Sequence, residues 1–63
     1  MVLLHLQLHQ AVVRASLGDA DSARTAAELY ELLNQDEDAA VWWHKAAELG
    51  DPDAIDYVNR ILT

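Results

Sequence analysis

Cysteine and phenylalanine are missing from these 63 residues, and there are only two glycines, one proline, one methionine and four basic side chains. Each shortage excludes something. Without cysteine there is neither a disulfide staple nor a thiolate metal site, and the expected compartment is the cytoplasm. Two glycines, Gly18 and Gly50, cannot build a Gly-rich loop that cradles a phosphate. Eleven acids against four bases leave a net charge of -7, a balance that repels phosphate backbones and anionic headgroups. Nucleic-acid and membrane partners are therefore disfavoured. No apolar run approaches the ~20 residues needed to span a bilayer. The apolar start, Met1 to Leu8, has no basic leader and is interrupted by His5 and Gln7, so it does not read as a signal peptide.

What the chain does have is a phrase used twice. Ala15-Ser16-Leu17-Gly18-Asp19-Ala20-Asp21 returns 32 residues later as Ala47-Glu48-Leu49-Gly50-Asp51-Pro52-Asp53. Glycine can take the left-handed position that closes a helix, and the aspartate after it can cap the next one. Pro52 would stand at a first helical position, where its missing N–H costs nothing. Helix punctuation at a period in the thirties marks stacked helical hairpins.

Four helices follow from the apolar spacing. The first runs over Val2–Leu17, with an inner stripe of Leu4, Leu8, Ala11, Val12 and Ala15. The second covers Ala20–Leu33 behind an Asp19 cap and turns Ala23, Ala26, Ala27, Tyr30 and Leu33 inward. Asn34, with Glu37 three residues on, is the expected cap of the third, Asp36–Leu49. That helix faces inward with Ala39, Ala40, Trp43, Ala46 and Ala47, and Tyr30 and Trp43 are expected to pack across the central hairpin. A fourth starts at Pro52 and presents Ala54, Ile55, Val58, Ile61 and Leu62. No segment alternates with a strand's period. The expectation is one all-α domain over residues 1–63, four short antiparallel helices forming about two stacked hairpins of a solenoid-type array.

Residues 26–54 resemble a Sel1-like repeat, a relative of the tetratricopeptide repeat. The first helix matches through Ala26-Ala27-Glu28-Leu29-Tyr30. The second matches through Ala40-Val41-Trp42-Trp43-His44-Lys45-Ala46-Ala47-Glu48-Leu49-Gly50-Asp51-Pro52-Asp53-Ala54. The loop between them, Leu33-Asn34-Gln35-Asp36, is shorter than the usual Gly-rich Sel1-like loop and moves the pattern toward tetratricopeptide geometry. The resemblance implies scaffolding through protein–protein contact, without catalysis. It also implies further repeats, supplied either by a longer array or by self-association.

Candidate chemistry is sparse. His5 and His9 stand one helical turn apart, a spacing at which two imidazoles can clamp a metal, but a site needs three or four convergent ligands. These two and His44 read as surface residues, and no metal or cofactor is expected. Ser16 and Ser22 flank Gly18-Asp19 and read as local capping groups. The carboxylates fall on caps and outer faces, without an apolar pocket to shift one of them. The chain reads as no enzyme.

The strongest functional signal is surplus greasiness. Leu3, Leu6, Val13 and Leu17 fall outside the first helix's inner stripe, so this helix is apolar around much of its circumference, which implies burial on more than one side. Of the adjacent tryptophans only one can face the core; Trp43 fits it, leaving Trp42 as a contact candidate. The expected interface is Leu3, Leu6, Val13 and Trp42, and the expected partner is a protein: a second copy of the chain or neighbouring repeats. Two rivals stand beside that reading. One is a small acidic antitoxin-like or regulatory protein that covers a basic partner; the other, weakened by the acidity, is a helix-turn-helix DNA binder.

Overall fold

The computed structural model describes residues 2–62, and all regular structure among them is helical. Helix α1 is Val2–Ser16, α2 is Ala20–Leu32, α3 is Asp36–Glu48 and α4 is Pro52–Tyr57, continued by a π-helical segment, Val58–Leu62. The fold is all-α, with every helix starting at the expected residue and the first three ending one residue early.

Three connections of one design join these helices: Leu17-Gly18-Asp19, Leu33-Asn34-Gln35 and Leu49-Gly50-Asp51. Their middle residues take positive φ, 96° at Gly18, 60° at Asn34 and 98° at Gly50. The Gly50 N–H donates to the Ala47 carbonyl and the Asp51 N–H to that of Ala46, both at 3.0 Å. The Asn34 N–H donates to Glu31 at 3.0 Å and the Gln35 N–H to Tyr30 at 2.9 Å. Gly18 and Asp19 repeat the pattern onto Ala15 and Arg14. This paired closure satisfies the carbonyls that a helix end leaves orphaned. Asn34 therefore ends α2 rather than capping α3, a correction to the sequence reading; a short polar side chain tolerates the left-handed region. Gln35 holds the cap position without a side-chain bond, and Asp36, Glu37 and Asp38 place negative charge on the helix's positive end instead.

The two aspartate caps differ. Asp51 accepts from the Ala54 N–H at 2.9 Å, a side-chain cap of the expected kind. Asp19 has the extended backbone of a cap residue, but its carboxylate accepts the Ser22 hydroxyl at 2.7 Å. That bond is the main reason its carboxyl lies below the usual aspartate range.

Each helix packs on the next in sequence, α1 on α2, α2 on α3 and α3 on α4. The Cα trace measures 32 × 25 × 14 Å. Among the described residues the buried apolar ones are eight alanines (Ala11, Ala15, Ala23, Ala26, Ala27, Ala39, Ala46, Ala54) together with Leu29 and Trp43. Small side chains let the axes approach closely, but each buried methyl contributes only about 0.8 kcal/mol. Among the described residues Leu29 is the one large aliphatic that is buried.

Trp43 is buried, as its stripe predicts, but its aromatic partner is Tyr57 of α4, not Tyr30. The two rings stack with centroids 4.0 Å apart and planes 14° from parallel, and Tyr30 packs half-buried against the same core. In the last helix Ala54 is buried and Val58 and Leu62 are half-buried, but Ile55 and Ile61 face solvent, against expectation. The wider i→i+5 winding from Val58 rotates Ile61 off the stripe that a regular α-helix would have continued.

Candidate protein interface

Helix α1 divides into two faces. Ala11 and Ala15 are buried against α2, and Leu4, Leu8 and Val12 are half-buried beside them. On the opposite flank Leu3 is 67% exposed, Leu6 51% and Val13 46%. Leu17, 84% exposed, and Val2 extend the same flank to both ends of the helix. Single exposed leucines are ordinary, but a run of large aliphatics along one helix side is not. The structure thus brings three of the four expected interface residues together on one surface. It leaves the fourth apart: Trp42, on α3, is half-buried and packs against the core. Leu17, already off the inner stripe by its spacing, and Val2 belong to the flank without being among the expected interface residues; for Val2 the helical angle is the signal that could have found it.

Charge separates α1 from everything after it. All eleven acids lie from Asp19 onward, and residues 1–18 carry one base, Arg14, and no acid. The remainder is tied together by two polar hubs. Arg24 of α2 reaches Asp51 at the α3–α4 turn, with Nε 3.4 Å from one carboxylate oxygen and 3.3 Å from the other. Its guanidinium also meets Asp21, Glu28 at 3.4 Å and Asp53 at 3.9 Å. The bond to Asp21, then the charges of Glu28 and Asp51, raise its pKa and hold the positive charge in place. Glu31 of α2 forms the second hub. Its carboxylate accepts the Trp43 indole N–H at 3.2 Å and the Tyr57 hydroxyl at 2.6 Å. The bond to Glu31 pushes the Tyr57 hydroxyl above its usual pKa, because a phenolate would lose that bond and face the carboxylate.

Other candidate residues are dispersed. His5, His9 and His44 are exposed, and no group of three His, Cys, Asp or Glu side chains among the described residues could hold a metal. Ser22 bonds Asp19, and Ser16 donates to the Val12 carbonyl at 2.9 Å within its own helix. An open cleft of about 390 Å³ between α1 and α2 is lined by Gln7, Gln10, Arg14 and Thr25 among others. A second, about 290 Å³, lies between Glu31, Asp36, Trp43, Tyr57 and Leu62. Among the described residues no helix is long and apolar enough to cross a membrane. No protein-family description, no curated protein and no solved structure matches this chain.

Proposed function

We propose that this chain is a non-enzymatic protein-binding module of Sel1-like or tetratricopeptide-like type, whose principal contact surface is the outer flank of α1. The observation that carries the reading is the exposure of Leu3, Leu6 and Val13 on one side of a helix whose other side is already packed. Burying one such side chain contributes about 1.5–3 kcal/mol. A domain with an alanine core has little stability to forgo. Three turns of one design at equal intervals, half the period of the Gly-Asp phrase, support the repeat character. Trp42, half-buried at the edge of α3, is a secondary contact.

Sedimentation of the full chain across a wide concentration range tests this. The wild type is expected to associate reversibly, and Leu6→Glu or Val13→Glu, each at an exposed position, to sediment as folded monomers. A wild type that remains monomeric at the highest concentration overturns self-association through this flank.

Capture of a basic partner is the second reading, favoured by the cleft where Glu31 and Asp36 stand beside Trp43 and Tyr57 with no base in its lining. A cationic side chain there would meet two carboxylates. A basic peptide whose binding weakens with added salt supports it, and one that binds equally at all salt concentrations does not.

A further inference from the structure

The outward residues of α1, with Leu17 just past its end, do more than share a side. Leu3, Leu6, Gln10, Val13 and Leu17 are all exposed and follow one another at alternating steps of three and four residues. That alternation is the spacing of a helix–helix seam, with four apolar residues and one polar residue at the midpoint. Resting on the reading of this flank as a contact surface, we propose that its partner is a second copy of the chain. The two α1 helices lie antiparallel, with Gln10 on the two-fold axis and Leu3 beside the partner's Leu17.

Charge distribution selects a second copy as the occupant. Because every acid lies from Asp19 onward, α1 is the one helix on which two chains of charge -7 can meet without apposing carboxylates. Direction follows from the helix ends. Parallel pairing would align the two helix dipoles and bring both copies of Asp19 and Asp21 to the same end of the seam. Antiparallel pairing opposes the dipoles and places those acids at opposite ends. A glutamine amide both donates and accepts, so two copies of Gln10 can satisfy each other across the axis. A polar residue in an otherwise apolar seam favours the register that pairs it with its own copy, at some cost in affinity. The seam is short, about 21 Å from Leu3 to Leu17. A standard interface takes ~800 Å² per partner, about a fifth of this chain's 4088 Å² surface. A single helix flank offers less than that, so the pairing is expected to be weak and reversible.

The cysteine-free sequence gives a clean background for single-cysteine cross-linking. With a short bismaleimide linker, Gln10→Cys should give the covalent dimer as its main product. Leu3→Cys alone and Leu17→Cys alone should remain monomeric, and a mixture of the two should link. Glu48→Cys, exposed on α3, should not link. Self-linking of Leu3→Cys as efficient as that of Gln10→Cys indicates parallel pairing and overturns the arrangement. A wild type that associates and is broken by Leu6→Glu, with Gln10→Cys unlinked, overturns this pairing but leaves α1 as the contact surface. A monomeric wild type with no cross-linking overturns both.

Discussion

Helix α1 and the α2–α4 unit both bury alanines and both expose large aliphatics, but α1 gathers its own along one flank, whereas Leu32, Val41, Ile55 and Ile61 are spread over α2, α3, α4 and the π-helical segment. In α2–α4 small side chains are inside, and two polar hubs bridge residues far apart in sequence: Arg24 to Asp51, and Glu31 to Trp43 and Tyr57. In α1 Val2, Leu3, Leu6 and Val13 point outward along one flank, Leu4, Leu8 and Val12 are half-buried, and the fully buried contribution is two alanines. The first arrangement specifies its own contacts. The second leaves contact-making capacity unspent, and that contrast is what turns a small helical fold into a candidate binding module.

The contrast can be broken most severely at Trp43. Trp43→Ala removes the one large buried ring and is expected to cost about 3–5 kcal/mol, most of what so small a domain has. Loss of the cooperative thermal transition in circular dichroism checks this; a near-wild-type melt would mean that α2–α4 does not rest on the stacked pair.

Arg24→Met should cost about 1–3 kcal/mol, because it leaves Asp51 without its cation partner. Arg14→Met, on exposed α1, should be nearly neutral in the same denaturant titration. Equal effects would erase the distinction between the two regions.

Gly50→Val tests the turn between α3 and α4. Beyond its chain neighbours a Cβ at Gly50 would meet no atom within 4 Å, so the expected loss of about 1–3 kcal/mol comes from the local strain of the positive φ. Gly50→Asn should be milder, since Asn34 already performs the same closure. Denaturation midpoints of the two variants give the comparison.

The smallest effect concerns Tyr57. Its folded pKa lies above the ordinary tyrosine value of 10.0, so the folded state holds this proton more tightly. The associated stability is fully present below pH 10 and is lost as pH rises through the raised folded value. Tyr57→Phe should flatten that alkaline decline and cost about 0.5–1.5 kcal/mol near neutrality. An unchanged alkaline slope would argue against the bond to Glu31.

Helix positions are legible in the sequence because their punctuation is local. Leu-Gly-Asp, with Pro52 after the second copy, announces an end and a start within a few residues. Asn34-Gln35 is legible as a break but not as a closure, because asparagine serves at either end of a helix. The polar hubs are not legible at all. Arg24 and Asp51 are 27 positions apart, and Glu31 and Tyr57 are 26; no spacing rule links residues across two turns. For that reason spacing pairs Trp43 with Tyr30, its neighbour in the hairpin, where the fold pairs it with Tyr57. Of the candidate site, Leu3, Leu6 and Val13 can be found from helical angle alone. Trp42 cannot be placed that way, since its half-burial depends on packing against the core.

Amide hydrogen exchange, read at protein concentrations about a hundredfold apart, tests the central contrast most directly. Helices α2 and α3 are expected to keep the same protection throughout, while α1 gains protection as concentration rises and loses that gain in Leu6→Glu. Protection of α1 that does not change with concentration would contradict the division of the molecule into a self-sufficient unit and a helix that needs a partner.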